Sequence, residues 1–194
     1  MSAFAPRELR TKDGAALALR ELVPEDAQTV LDTVRPILAE SAFTVRLPEE
    51  MPSEAAEEAR WIESARAGGA LLLGACVEGS FAGLLTLEPL GPARARHVAS
   101  LGMSLALPQR GRGVGRALLE AALDWARESA HVEKVELCCL ADNAVGLALY
   151  ESVGFEHEGR RRGKIQRSPG EYVDDVLMGI WTPSSNPGQT PAAP

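Results

Sequence analysis

The densest concentration of chemistry-bearing residues is the run Gln109-Arg110-Gly111-Arg112-Gly113-Val114-Gly115-Arg116. Glycines let a backbone take up positive φ and approach a ligand closely. A helix starting here would present amides with no partner of their own and a partial positive charge. Arg110, Arg112 and Arg116 add full cations. Together these features suit an anion, above all a phosphate or pyrophosphate. Two phosphate-binding patterns are excluded. Arg116 stands where the dinucleotide motif G-x-G-x-x-G needs its third glycine, and Gly163-Lys164 is followed by Ile165 rather than the Ser or Thr of a P-loop. Taken alone, the run also reads as a Gly-rich connection with solvated arginines.

A second constellation is Asn143 with Tyr150, seven residues apart. On a helix that spacing puts both on one face, about two turns apart, where they can touch two points of one extended ligand. The plainer reading makes Asn143 a helix N-cap and Tyr150 a core residue with a satisfied hydroxyl. Other polar groups stand out less. Glu49, Glu50 and Glu54 cluster in one loop, where they attract a cationic amine or are merely solvated. Arg160, Arg161, Arg162, Lys164 and Arg167 form a basic segment that reads as a solvated turn or a seat for an acidic ligand. His97, His131 and His157 lack ligand spacing, so no metal is expected. Cys76, Cys138 and Cys139 form no C-x-x-C pair and sit in apolar runs, so all three are expected as buried, reduced thiols.

These residues need elements to position them. Gly113–Ser129 is the clearest helix: Val114, Ala117, Leu118, Ala121, Ala122 and Trp125 follow helical spacing. It lies between two expected strands, His97–Leu107 and Val135–Leu140. Asn143–Val153 reads as a short helix with Gly154 at its C-terminal cap. Upstream, residues 17–22 read as a first strand. Pro24-Glu25-Asp26 opens a helix that Pro36 should end or kink, and a second helix runs from about Ser53 to Ala67. Ala70–Val77 and Phe81–Leu87 flank a tight turn at Glu78-Gly79-Ser80. Phe155–Arg160 and Tyr172–Trp181 are the last two strands. Alternating strands and helices predict an α/β (α+β) domain over residues 1–181 with mixed strand directions. The Pro-rich stretch 182–194 has no large apolar residue and is expected to be a disordered tail.

Composition narrows the class further. The chain has 194 residues, 45% hydrophobic and 24% charged, enough for one domain with a real core. Its formal net charge of −7 argues against general nucleic-acid binding. The N-terminus has no apolar signal segment, and no apolar run is long enough to cross a bilayer, so a cytoplasmic protein is expected.

Two segments in register carry a family resemblance. Arg110-Gly111-Arg112-Gly113-Val114-Gly115, followed by RALLEAALDWA, resembles the acyl-CoA signature R/Q-x-x-G-x-G/A of the GNAT superfamily of N-acetyltransferases. Asp142-Asn143 through Gly146-Leu147-Ala148-Leu149-Tyr150 to Gly154-Phe155 resembles that superfamily's motif N-x-x-A-x-x-L-Y-x-x-x-G-F. Gly146 departs from the usual Ala, at a cost of about 1 kcal/mol in helix propensity.

The resemblance implies a mostly antiparallel mixed sheet of about seven strands, flanked by helices, whose two central parallel strands splay apart to hold acetyl-CoA. The backbone of Leu105, Ala106 and Leu107 would pair with the pantetheine arm. The amides of Arg110, Gly111, Arg112, Gly113, Val114, Gly115 and Arg116 would hold the pyrophosphate. Asn143 would hydrogen-bond the pantetheine, and Tyr150 would protonate the departing thiolate. A phenol near pKa 10 and a thiol near about 8.5 are matched for that transfer. The implied reaction is transfer of an acetyl group to a primary amine by direct attack in a ternary complex. The amine would belong to a free amino acid, a polyamine, another small amine or a protein N-terminus, and the protein would form a homodimer. The alternative is a module of the same fold that binds acyl-CoA without turnover. Some family members carry a glutamate base on the strand before the Gly-rich turn. Val98–Leu107 contains no Asp, Glu or His, so the nearest candidates in sequence are Glu88, His97 and Glu136.

Overall fold

The computed structural model describes residues 4–182. An N-terminal hairpin pairs β1 (Arg7–Arg10) with β2 (Ala16–Glu21). Two helices follow, α1 (Ala27–Glu40) and α2 (Ala55–Ala67). Three strands come next: β3 (Leu71–Val77), β4 (Ser80–Pro89) and β5 (Val98–Leu105). The chain then runs through α3 (Val114–Glu128), β6 (Lys134–Leu140), α4 (Ala144–Glu151), β7 (Glu156–Ser168) and β8 (Glu171–Trp181). The strands form one sheet in the order β1-β2-β3-β4-β5-β6-β8-β7, antiparallel throughout except for β5 beside β6.

Alternation along the strands builds two cores. Leu71, Leu73, Leu85, Leu87, Ala99, Leu101, Val135 and Leu137 point to one face, where Leu118, Leu119, Ala122 and Trp125 of α3 cover them. Leu72 and Leu84 point to the other, under Val30, Leu31 and Val34 of α1 and Ile62 of α2. Each fully buried leucine contributes about 1.5–3 kcal/mol. The α1 and α2 cover lies over the N-terminal half of the sheet, so the same face of β5, β6 and β8 is more open: Ser100, Gly102 and Cys138 are exposed on it.

Five sequence expectations change. The sheet has eight strands rather than about seven, because RELR at Arg7–Arg10 forms a short, mostly exposed edge strand. Helix α1 does not stop at Pro36 but continues to Glu40. Burial of Ile37 and Leu38 beyond the proline offsets the lost hydrogen bond. The basic segment is not a turn: β7 carries it as strand through Ser168, pairing β8 with several register shifts. Of the cysteines only Cys139 is buried; Cys76 is half-buried and Cys138 exposed. The VELCCL alternation sends Cys139 to the α3 face and Cys138 to the open one. Thr182, expected to begin the tail, donates through its backbone N–H to Glu133 C=O and through its hydroxyl to Val132 C=O. Residues 183–194, the rest of that tail, lie outside the described residues.

The parallel pair parts almost at once. Val98, Ala99 and Ser100 pair Lys134, Val135 and Glu136, and pairing ends there. On their outer sides both strands stay in the sheet: β5 pairs β4 out to Leu105 opposite Gly83, and β6 pairs β8 out to Leu140 opposite Asp175. A wedge-shaped gap therefore opens between Leu101–Leu105 and Leu137–Leu140. A bulge in the β3–β4 pairing lies beside the parting end of β5, where a register shift falls between Ala75 and Cys76. Gly83 takes φ 146° there, and any Cβ would collide with the Ser104 carbonyl. Bulges bend and twist their strands, and this one sits where β5 turns away from β6.

Candidate active site

The gap opens toward the Gly-rich run. After β5, residues Leu107–Gln109 make a short 3-10 turn, and Arg110 is extended. Gly111 and Gly113 then take φ 74° and 91°, values that side-chain-bearing residues rarely adopt. Gly113 is the N-cap of α3, and no side chain caps it. The amides of Val114, Gly115 and Arg116 have no acceptor inside the helix. Gly115 is buried at the meeting of three elements. A Cβ there would lie 3.2 Å from Leu105 Cδ1, 3.3 Å from Leu149 Cδ2 and 3.5 Å from Met103 Cε.

The three arginines of the run are already engaged. Arg110 Nε donates to Leu105 C=O (2.9 Å) and Nη2 to Glu40 Oε1 (3.3 Å). Arg112 bonds Asp13 (2.9 Å) and donates to Gln109 Oε1 (2.6 Å). Arg116 donates to Ser152 Oγ (2.6 Å) and reaches Glu120 (3.4 Å). They brace the turn against α1, the β1–β2 loop and α4, and their charge toward an anion is partly offset. The carbonyls of Leu105, Ala106 and Leu107 accept from Arg110 Nε, Gln109 N–H and Arg110 N–H, and the Ala106 N–H donates to Ala82 C=O. The edge that turns away from β6 without such bonds lies upstream, in residues 101–104.

On the other side of the gap, Asn143 caps α4: its Oδ1 accepts from Gly146 N–H at 3.0 Å. The departure at Gly146 fits this cap, since a Cβ there would lie 2.6 Å from Asn143 Nδ2. The Asn143 side chain moderates the rise in the pKa of the Cys139 thiol. Tyr150 packs edge-on against Phe155, with ring centroids 5.9 Å apart. Its hydroxyl has no hydrogen-bond partner among the described residues. Burial, with a smaller contribution from Cys139, holds its pKa well above the usual phenol value. Burial likewise pushes the Cys139 thiol up to about 11, with Asp175 adding to the rise. Asn143 at the cap of α4 and Tyr150 in its last turn both influence, or are influenced by, the buried Cys139 thiol.

On the open face, Glu88 of β4 pairs Ser100 of β5, and Ser100 pairs Glu136 of β6. Two carboxylates therefore flank a serine in the last row before the strands part. His97 is elsewhere, stacked on Trp181 with centroids 6.3 Å apart. Three contributions were not anticipated. Lys12 and Asp13 of the β1–β2 loop grip the Gly-rich turn, Lys12 N–H donating to Arg112 C=O at 2.8 Å. The Lys12-Asp13-Gly14 turn signal was the available clue. Arg167 of β7 makes two bonds to Asp142 (2.8 and 3.2 Å) and one to Ala42 C=O (3.0 Å), tying the β6–α4 turn to the loop after α1. Among the described residues no cluster of three or more His, Cys, Asp or Glu could hold a metal, and no helix is long and apolar enough to cross a membrane.

Residues 31–155 match the Acetyltransferase (GNAT) family. The chain belongs to the GNAT acetyltransferase family. This GNAT chain is 34% identical over 104 residues to the L-amino acid N-acetyltransferase AaaT of Escherichia coli (strain K12), covering 54% of this chain and 64% of that protein. It is 39% identical over 98 residues to the N-alpha-acetyltransferase RimI of Mycobacterium tuberculosis, covering 50% and 53%. The match thus spans less than two thirds of either relative. The GNAT fold extends over nearly the whole domain. A GNAT-family acetyltransferase from Streptococcus pneumoniae superposes with a TM-score of 0.79 at 26% identity, covering 85% of this chain and 99% of that one. A putative acetyltransferase, yncA, from Salmonella typhimurium, solved with its cofactor acetyl-CoA, superposes with a TM-score of 0.77 at 17% identity, covering 92% and 97%.

Proposed function

We propose that this protein transfers the acetyl group of acetyl-CoA to a primary amine by direct attack in a ternary complex. The observation that carries the reading is the gap between β5 and β6, which leads to an uncapped helix N-terminus. A sheet rarely leaves interior strands unpaired, because their N–H and C=O groups want partners. An extended pantetheine arm along Leu101–Leu105 supplies them in the manner of an added strand, and the amides of Gly111–Arg116 take the pyrophosphate. The fold relative solved with acetyl-CoA supports the same co-substrate here.

The chemistry balances on this chain's own groups. The neutral amine attacks the thioester carbonyl, the C–N bond forms, the C–S bond breaks, the thiolate takes a proton from Tyr150, and the surplus proton shed by the acylated nitrogen returns through solvent to the Tyr150 phenolate. Cys139 indicates what this pocket does to a thiol: burial raises it to about 11. A thiolate released beside it would be basic for the same reason, which narrows its gap to the raised phenol of half-buried Tyr150. The acceptor arrives protonated, with a pKa near about 8 for an α-amine and 10.4 for a lysine-like amine. Glu88 and Glu136, flanking Ser100 on the open face, are positioned to receive its proton. Free amino acids and protein N-termini are the acceptor classes that the two curated relatives suggest. A cytoplasmic homodimer, with the long β7 edge at its interface, completes the proposal.

The test is release of free CoA from acetyl-CoA in the presence of amino acids, polyamines and short peptides with free N-termini. Turnover with at least one amine is expected. If none supports release while CoA still raises the melting temperature, the chain is an acyl-CoA-binding module. That stabilisation amounts to about 2.7 kcal/mol at a hundredfold excess over Kd, and dephosphorylated pantetheine should give much less.

A further inference from the structure

We infer that Lys12, on the loop between β1 and β2, is a further binding residue, whose ammonium contacts the pyrophosphate of CoA at the Gly-rich turn. The inference rests on the acetyl-CoA reading above. Lys12 is fixed at both ends of its residue. Its N–H donates to Arg112 C=O at 2.8 Å. Its side chain lies across the N-cap of α3: Cγ, Cδ and Cε are 3.2, 3.8 and 3.7 Å from where a Cβ on Gly113 would stand. The methylene run therefore packs over the bare Gly113, the N-cap of α3, where a side chain would crowd it.

The loop presenting Lys12 is firmly built. Thr11 is buried; its N–H donates to Ala15 C=O, its hydroxyl accepts from Ala15 N–H, and its carbonyl accepts from Gly14 N–H. The charges around Lys12 are otherwise taken. Asp13 is held below the usual carboxylate range by hydrogen bonds from Thr11 and Arg112, and Arg112 is spent on Asp13 and Gln109. Arg110 and Arg116 are directed to Glu40 and Leu105 C=O, and to Ser152 and Glu120. Among the described residues, the Lys12 ammonium has no hydrogen-bond or ion-pair partner. A cation without a partner, on a side chain packed against the N-cap of a helix with unpaired amides, suits a pyrophosphate, with Lys acting as a point charge. The division of labour follows: the arginines shape the turn, the amides give it direction, and Lys12 supplies charge.

Titration calorimetry with CoA, 3′-dephospho-CoA and pantetheine tests this on the full chain. Lys12→Met keeps the methylene run over Gly113 and removes only the charge. It should weaken CoA and 3′-dephospho-CoA alike by about tenfold or more and leave pantetheine unchanged. Lys12→Arg should restore affinity to within about threefold, and added salt should narrow the gap between Lys12→Met and the native protein. Unchanged CoA affinity in Lys12→Met overturns the inference. So does a loss confined to CoA, which would place the contact on the 3′-phosphate, or an equal loss with pantetheine, which would mean a distorted turn. If the native protein binds none of the three, the acetyl-CoA reading itself fails, an outcome distinct from a native-like Lys12→Met.

Discussion

β6 treats its two neighbours differently. Toward β8 it is paired along its whole length, from Lys134 opposite Trp181 to Leu140 opposite Asp175; toward β5 pairing ends at Glu136. The closed side is filled like any core: Val176 and Met178 are buried, and buried Asp175 is matched by Arg161 from β7. The open side is lined by a strand whose residues pass from buried Leu101 to half-buried Leu105, with exposed Gly102 between them. One strand is thus paired along the whole of one edge and, beyond Glu136, left unpaired along the other. The hydrogen bonds this sheet does not make mark the candidate site more sharply than any single side chain. Substitutions on the two edges should separate activity from stability.

The largest effect is expected on the open side. Tyr150→Phe keeps the ring against Phe155 and removes a hydroxyl with no hydrogen-bond partner among the described residues, so stability should hardly change. Turnover should fall by about 10²- to 10⁴-fold, with the apparent affinity for acetyl-CoA nearly unchanged, because the lost interaction belongs to the transition state. The deficit should shrink with an acyl donor whose leaving thiol is more acidic. Full activity in steady-state assays would make Tyr150 a packing residue; lost acetyl-CoA binding would make it a structural one.

The closed side should show the reverse. Met178 is fully buried between β6 and the α3 face. Met178→Ala should cost about 2–5 kcal/mol in urea denaturation through lost burial and a residual cavity. Below its own melting temperature the variant should keep close to native kcat. A tenfold loss of kcat in a fully folded Met178→Ala would show that the two edges of β6 are coupled and the contrast between them too simple.

Much of the open side was legible in the sequence, because it depends on local patterns. The glycines at 111 and 113 stand before the most regular apolar spacing in the chain, and Asn143 and Tyr150 sit in a motif with fixed internal distances. What stayed hidden depends on pairing across long stretches of chain. Lys12 and Asp13 reach the turn only because the four-residue strand β1, polar and mostly exposed, folds back on β2; RELR carries no apolar alternation to announce it. The arginines of β7 looked like a solvated turn because their partners, Asp142, Asp174 and Asp175, are selected by a register that shifts at several points. The apolar neighbours of Cys138 predict a buried thiol. Its exposure depends on where α1 and α2 end their cover, and a single strand's pattern does not contain that. Sequence order alone leaves Glu88, His97 and Glu136 open as candidate bases; only the strand pairing brings Glu88 and Glu136 to either side of Ser100.

The smallest expected effect sharpens the comparison at the mouth of the gap. Both sides hold a β7 arginine against an aspartate, Arg161 with Asp175 on the closed side and Arg167 with Asp142 on the open one. The Arg167 guanidinium holds the Asp142 carboxyl below the usual range. A carboxylate lowered in the folded state adds stability that is present in full above its unfolded pKa, near about 3.9, and is lost as pH falls through the lowered folded value. Asp142→Asn removes that charge from an exposed pair, so at pH 6 it should cost at most about 1 kcal/mol in urea denaturation. The difference from the native protein should shrink as pH drops toward about 3 and below, where native Asp142 is itself increasingly protonated. Added salt at pH 6 should shrink it too. A difference that persists unchanged at low pH would mean that the geometry of the Asp142–Arg167–Ala42 contact, rather than its charge, holds the mouth of the gap. The open side would then be closed over by shape, as the paired side is.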